Sequence, residues 1–133
     1  MIGHRFGTFI LIVAALFCLL TTWSSGAAPA KFAQRLGLAI VNAGGTNEIR
    51  AQYAGFFFAS AIVCVFALAG ALPRQAAFVV LAAIFGGLIA GRVTSFALNG
   101  GSAGYPPMIM TLYAIDSIGF AMALAGLAFD RTA

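Results

Sequence analysis

Charge is the scarcest property of this sequence, since Asp, Glu, Lys and Arg make up only 8% of its 133 residues. Hydrophobic residues make up 62%, and the mean hydropathy is +1.04. A soluble domain of this length has too little interior to bury so many apolar side chains. Several runs without charge approach the roughly 20 residues that cross about 30 Å of hydrocarbon. The sequence therefore predicts a single membrane domain over residues 1–133.

Reactive side chains are almost as scarce, with one histidine and two cysteines. His4 stands alone, and Cys18 and Cys64 lie inside apolar runs, where a thiol packs as a small hydrophobe. No H-E-x-x-H or P-loop pattern occurs. We therefore expect no catalytic residue, no metal site and no cofactor beyond a bound lipid or quinone, and an enzyme ranks last among the functions considered.

Basic residues are in excess, with a net charge of +4, but they are scattered singly. Nucleic-acid binding usually requires a basic patch, often interleaved with aromatic residues. In a membrane protein the same surplus reports orientation and contact with anionic headgroups. We expect the lipid bilayer and other membrane proteins as partners, and no nucleic acid.

The apolar runs predict an all-α integral membrane protein, an antiparallel four-helix bundle with spans at residues 6–24, 47–72, 75–98 and 107–129. The first run is longer than a signal-peptide core of about 7–15 residues, although Ala28-Pro29-Ala30 resembles a cleavage site. We expect an uncleaved helix. Residues 29–42 are predicted to form a short interfacial helix, with Lys31 and Arg35 on one face.

The second span is predicted to begin with a cap at Thr46 or Asn47, after a helix-breaking stretch at residues 42–46. Glu48 would then lie in the first turn, where the helix dipole favours an acid. Pro73 is expected to end this span, and the very short connection to the next helix predicts an antiparallel hairpin.

Small residues recur at helical spacing on the last two spans. In lipid, such residues let helices approach closely, and close packing drives their association. On this basis we predict helix packing at Ala83, Gly87 and Gly91, continued by Ser95, on the third span and at Gly119 and Ala123 on the fourth.

Polar residues collect toward one side of the predicted bundle, because antiparallel spans bring the ends of helices one and three to the starts of helices two and four. A lone charge at the centre of a span costs about 2.5–3.5 kcal/mol, so opposite charges are expected to pair. We predict an Arg92–Asp116 pair, with Glu48 paired to Arg50 or Arg92. Since Glu48 and Arg50 are two residues apart and point to different sides of their helix, we expect them to reach different neighbours rather than each other. The predicted polar cluster consists of Glu48, Arg50, Tyr53, Arg92, Ser95, Asn99, Tyr105 and Asp116.

Two interpretations of this cluster stay open. It either fixes the register of the helices or forms a pocket for a headgroup, a quinone or a proton, since ionisable residues inside membranes often mark such sites.

The predicted orientation of the chain across the membrane rests on the positive-inside rule, by which Lys and Arg are in excess in cytoplasmic loops. Arg5, Arg74 and Arg131 lie on the side of the termini, and Lys31 and Arg35 lie on the other side once Arg50 and Arg92 are discounted as neutralised. We therefore expect both termini in the cytoplasm.

The pattern Asn47-Glu48-x-Arg50-x-x-Tyr53-x-Gly55, followed by Gly91-Arg92-x-x-Ser95-x-x-x-Asn99-Gly100 and Pro106, resembles a family of small bacterial four-helix membrane proteins classified as a domain of unknown function. The resemblance runs from about residue 42 onward. It implies an acid in the last helix, which Asp116 matches, and often an acid where this chain has Asn99. It implies a fold and a clustering of residues but no activity.

Small size, short loops and the lack of catalytic groups favour one hypothesis, a non-catalytic accessory or interaction subunit of a larger complex in the bacterial inner membrane. An energy-transducing complex is one candidate for that assembly. The alternative is a binding or transport protein that holds a lipid, quinone or similar amphipathic molecule on its Arg, Asp, Glu and Tyr side chains.

Overall fold

A computed structural model describes residues 2–130 of the chain, so Arg131, which was counted above for orientation, lies outside the described residues. Residues 2–130 are mostly helical and contain no strand, which confirms the all-α prediction. In chain order the elements are α1 (Ile2–Ala27), α2 (Pro29–Arg35), α3 (Ala43–Ile49), a π-helical segment (Arg50–Gly55), α4 (Phe56–Leu68), α5 (Arg74–Leu98) and α6 (Pro107–Phe129).

Within the described residues, four helical stretches are long and apolar enough to cross a bilayer. One of them combines α3, the π segment and α4 without interruption. Their lengths of 23 to 26 residues match the thickness of a hydrocarbon core. The chain is therefore a membrane protein whose candidate spans are Gly3–Ala27, Ala43–Leu68, Arg74–Leu98 and Pro107–Phe129.

The second span begins earlier than predicted. Asn42 is the N-cap, and its side chain accepts a hydrogen bond from the Gly45 amide at 3.0 Å. The residues predicted to break the helix, including Gly44 and Gly45, form its first turn, and the caps predicted at Thr46 and Asn47 are wrong. An Asn side chain that satisfies a free amide outweighs the low helix propensity of two glycines.

Two helices end earlier than predicted, each because a glycine follows the C-cap in a left-handed conformation. Gly37 has φ of 77°, and α2 ends at Arg35 rather than near residue 42. Gly70 has φ of 75°, and α4 ends at Leu68, before Pro73 is reached. Behind Gly70, the Ala71 amide donates to the Phe66 carbonyl at 2.9 Å, which closes the last turn.

The chain forms two compact units. The first contains the start of α1, up to Ile10, together with α5 and α6. Helices α5 and α6 are antiparallel, and aromatic rings of one helix fill the space above glycines of the other. A Cβ added at Gly119 would lie 2.8 Å from the Phe85 ring, and one at Gly126 would overlap the Phe78 ring. Ala123, fully buried, lies in the same contact.

The predicted small-residue ladder on α5 does not take part in this contact. Ala83, Gly87 and Gly91 are exposed. A Cβ added at Gly87 or Gly91 would meet no atom within 4 Å. Within the first unit, α5 instead packs through Phe78, Leu81 and Phe85, which are nearly fully buried.

The second unit, Leu11–Leu72, packs the remainder of α1 against the second span. Small buried residues of the two helices, including Cys18 and Cys64, form its core, and both thiols are free. Phe17 and Phe57 meet edge to face with ring centroids 6.0 Å apart. The structure therefore agrees with the expectation that the cysteines pack as apolar residues.

Candidate functional site

Arg92 on α5 and Asp116 on α6 are the charges of the first unit that lie farthest from the ends of their helices. The expected ion pair between them is present, with Arg92 Nε donating to Asp116 Oδ2 at 2.5 Å. The Asp116 side chain is 3% exposed and that of Arg92 is 20% exposed. Asp116 lies roughly 13 Å into its helix, at about 1.5 Å per residue. An unpaired charge at that depth in a membrane span costs free energy, and the ion pair removes this cost for both residues.

Tyr113 contacts Arg92 of this pair in two ways. It was not among the residues predicted for the polar cluster. Its hydroxyl donates to the Arg92 backbone carbonyl at 2.6 Å, and the Arg92 guanidinium carbon lies 5.9 Å from the centre of its ring. The distance is within the range of a cation–π interaction. Tyr113 lies one helical turn before Asp116, and this spacing is the sequence signal that could have identified it.

A second polar group lies toward the end of α5. Ser95 and Asn99 are one turn apart, and both reach the Tyr105 hydroxyl, which comes from the loop before α6. The three side chains are mutually 3.3 Å apart at their polar atoms. Ser95 and Asn99 are exposed and Tyr105 is half-buried. The group therefore anchors the α5–α6 loop and presents a hydroxyl and an amide at the surface.

These contacts also change the acidity of Tyr105. The hydrogen bond with Ser95, and then the one with Asn99, lowers the pKa of the Tyr105 hydroxyl below its ordinary value. Donors directed at a phenolic oxygen favour its ionised form. Asn99 occupies the position where the resemblance implies an acid, and here it acts as a neutral donor to Tyr105.

The other three residues of the predicted polar cluster belong to the second unit. Arg50 Nε donates to the Gly26 carbonyl of α1 at 3.3 Å. The Tyr53 ring packs against Phe32 of α2, with centroids 4.9 Å apart. Glu48 is exposed and forms no ion pair with any described residue of its unit. Arg50 binds this carbonyl and not Glu48, which agrees with the expectation that the two residues reach different neighbours, but the ion pair predicted for Glu48 is not formed within the described part of its unit.

The π segment coincides with most of the first sequence motif, since it runs from Arg50 to Gly55. Such segments are rare and frequent at functional sites. In this chain Thr22 of α1 donates to the Ala54 carbonyl at 3.2 Å, and a Cβ added at Gly26 would touch the Ala54 methyl. Both contacts, like that of Arg50, hold the segment against the end of α1. Residue propensities do not predict a π-helical segment at these positions.

A further cluster, which the sequence analysis missed, joins three helix ends in the first unit. Arg74 Nε donates to Asp130 Oδ2 at 2.5 Å, and its guanidinium also donates to Thr8 Oγ1 and the His4 carbonyl, each at 3.1 Å. Gln75 donates to the Asp130 carbonyl. Asp130 is 1% exposed. We call His4, Thr8, Arg74, Gln75 and Asp130 the terminal cluster.

Two glycines of α1 let this helix approach the terminal cluster closely. A Cβ added at Gly7 would overlap the Asp130 carboxylate, and one at Gly3 would overlap the Phe129 carbonyl. The Gly3-x-x-x-Gly7 spacing therefore lets the first turns of α1 approach the end of α6 closely. This spacing and the opposite charges of Arg74 and Asp130 were the available sequence signals.

The comparisons with known proteins add a family. A family model described as Domain of unknown function (DUF4345) matches residues 6–123. The chain belongs to this family. The DUF4345 match begins far earlier than the resemblance at about residue 42, so it includes nearly all of α1. No curated protein and no solved structure matches the chain.

Chemically, the sites offer charge compensation and hydrogen bonding. Among residues 2–130, no group of three or more His, Cys, Asp or Glu side chains is placed to hold a metal ion. Arg92 and Arg74 each have a carboxylate partner, and Tyr105 is the residue in the α5–α6 loop whose hydroxyl is made more acidic. The contacts of these polar residues link neighbouring helices and the loop between α5 and α6.

Proposed function

We propose that this protein is a non-catalytic interaction subunit that binds a transmembrane helix of another polypeptide along α5. The observation that carries the proposal is the exposed ladder of Ala83, Gly87 and Gly91. A helix face with such small side chains gives a neighbouring backbone close access, which is the usual basis of helix association in lipid. Within its own unit, α5 leaves this face uncovered.

The pairing of Arg92 with Asp116 supports the same proposal. Arg92 donates to Asp116 and lies near the Tyr113 ring, so its charge is compensated before any ligand arrives. An anionic ligand would have to compete with the Asp116 carboxylate. A structural role of the pair therefore agrees better with its geometry than a role in ligand capture.

The partner is expected in the inner membrane of a bacterium, in a larger complex for which an energy-transducing assembly is one candidate. The orientation needs a separate measurement, because the Arg74–Asp130 pair removes Arg74 from the free charges on the side of the termini. Arg50 is not neutralised by an acid, so it returns to the count on the opposite side. A reporter fused after the last residue determines on which side the termini lie.

Native mass spectrometry of protein extracted from its own membranes tests the proposal. We expect a stoichiometric second polypeptide with the wild-type chain and its loss with Gly87→Leu. Since a Cβ at Gly87 meets no atom within 4 Å, the variant chain retains its fold. Val93→Leu is the matched control, because Val93 is exposed but lies about 200° around the helix from Gly91. A lone wild-type chain, or equal partner retention in both variants, contradicts the proposal.

A second candidate function is the retention of a lipid or quinone at the polar cluster. The exposed Ser95–Asn99–Tyr105 group favours it, because these side chains can donate to a headgroup or a quinone carbonyl. In this case a small molecule co-purifies with a monomeric chain, and Arg92→Ala or Ser95→Ala reduces its amount while the chain stays folded. Absence of such a molecule from freshly extracted protein contradicts this function.

A further inference from the structure

A cleft of about 220 Å³ lies in the second unit, between the end of α1 and α2. Its polar wall is basic: Lys31 and Arg35 come from α2, and no acidic residue lines it. Trp23, Phe32 and two alanines provide the apolar wall. The cleft shares no lining residue with the polar cluster or the terminal cluster.

The two basic side chains have free donors. Both are exposed, and neither forms a hydrogen bond or an ion pair with a residue in the described part of the chain. They are four residues apart on one helix, which places their Cβ atoms about 5–6 Å from each other. An ammonium and a guanidinium at this spacing can bind the same phosphate group, and the guanidinium can do so with two parallel hydrogen bonds.

The position of the cleft along the chain indicates the source of the phosphate. The candidate span of α1 ends at Ala27, and α2 begins two residues later at Pro29. Trp23, 75% exposed, lies one turn before that end. Tryptophan prefers the level of the lipid headgroups, with its ring against the acyl chains. The cleft thus opens where headgroup phosphates are most concentrated.

The wall formed by Phe32 is held in place. Its ring packs against Tyr53 of the π segment at 4.9 Å, and α2 is closed behind it by the Gly37 turn. Lys31 and Arg35 extend from the same helix as Phe32, so the Tyr53 contact restricts the rotation of the helix that carries them.

From this geometry we infer that the cleft binds the phosphate of an anionic glycerophospholipid, with Lys31 and Arg35 as the phosphate donors and Trp23 against the glycerol and upper acyl chains. An anionic headgroup is preferred to a zwitterionic one, because a choline ammonium would stand close to two cations. Each basic residue near an anionic membrane surface contributes about a factor of five in affinity, so the two together contribute about thirtyfold.

The test uses the full-length chain, purified in neutral detergent and titrated separately with phosphatidylglycerol, phosphatidylcholine and inorganic phosphate while native mass spectra are recorded. We expect phosphatidylglycerol adducts to exceed phosphatidylcholine adducts, and the Lys31→Gln/Arg35→Gln double variant to need about thirtyfold more phosphatidylglycerol for the same occupancy. Lys31→Arg retains the adduct. Arg5→Gln, which removes an exposed charge elsewhere, leaves occupancy unchanged.

Equal adducts of the two lipids, or unchanged phosphatidylglycerol occupancy in the double variant, overturn the inference. Displacement of phosphatidylglycerol by equimolar inorganic phosphate also overturns it, since it identifies a site for free phosphate. Circular dichroism of each variant confirms that the helices are intact, so loss of adducts reports on the site.

Discussion

Arg92 and Asp116 form an ion pair between α5 and α6, with the Arg92 Nε atom 2.5 Å from Asp116 Oδ2 and the carboxylate almost fully buried. The pair carries no net charge, and Tyr113 covers the guanidinium. This geometry explains how two formal charges are tolerated within adjacent apolar helices. If the pair serves only to neutralise these charges, its replacement by apolar residues should leave the protein stable.

Asp116→Asn should lower the free energy of unfolding by about 3 kcal/mol, because it leaves Arg92 without its counter-charge. The double variant Arg92→Leu/Asp116→Leu should be more stable than Asp116→Asn and close to wild-type stability, since it leaves no buried charge unpaired and apolar side chains can replace a buried pair at little cost. Denaturant-induced unfolding in detergent micelles, followed by circular dichroism, measures both. A double variant less stable than Asp116→Asn contradicts a purely compensating pair.

Gly126→Ala should destabilise the α5–α6 contact by about 1–3 kcal/mol, because the added methyl overlaps the Phe78 ring. The control is Gly87→Ala, where the methyl enters open space and the better helix propensity of alanine adds about 0.5–1 kcal/mol of stability. The same unfolding experiment compares them. Equal effects at the two glycines would refute the described packing.

Arg74→Gln should destabilise the protein by about 3 kcal/mol, since the buried Asp130 carboxylate loses its counter-charge and α1 loses two hydrogen bonds from the guanidinium. Arg5→Gln, at an exposed arginine one residue from His4, should have almost no effect. Thermal unfolding in the same detergent gives the difference between the two variants. Similar melting temperatures would show that the terminal cluster does not hold the helix ends.

Tyr105 should ionise at a lower pH than an ordinary tyrosine, because the hydrogen bonds from Ser95 and Asn99 lower the pKa of its hydroxyl. The folded protein binds the tyrosine proton less strongly than the unfolded chain. Its stabilising contribution is therefore present above the ordinary pKa of about 10 and is lost as the pH falls through the lowered value.

Absorbance at about 295 nm during an alkaline titration detects this ionisation. Ser95→Ala should move the early transition upward, and Tyr105→Phe should remove it. An early transition that survives in Tyr105→Phe belongs to another tyrosine and contradicts the assignment.

The sequence identified the parts of the fold that depend on composition and spacing. Long uncharged runs predicted four apolar helices, and the cost of a lone charge in lipid predicted that Arg92 would pair with Asp116. Gly119 and Ala123 were identified as packing positions because small residues recur at helical spacing. The same rule also selected Gly87 and Gly91, which the structure leaves exposed, so helical spacing identifies a small-residue face but not the helix that packs on it.

Other features depend on geometry that spacing does not specify. The Asn42 cap overrides the glycines that follow it, and Gly70 ends α4 before the more obvious Pro73. The π segment over Arg50–Gly55 changes which side chains share a face, so the partners of Arg50 and Tyr53 were not predictable. Arg74 was counted as a free loop charge because the register that brings it to Asp130 was unknown.

We propose that the Arg92–Asp116 pair holds the helices together, whereas the small-residue face of α5 binds the second polypeptide. Native mass spectrometry of the Arg92→Leu/Asp116→Leu double variant, extracted from its own membranes, tests this most directly. We predict a folded chain that retains the second polypeptide at wild-type stoichiometry. A folded double variant that has lost this polypeptide, or that has lost a small molecule which the wild-type chain carries, would show that the pair itself is the functional site.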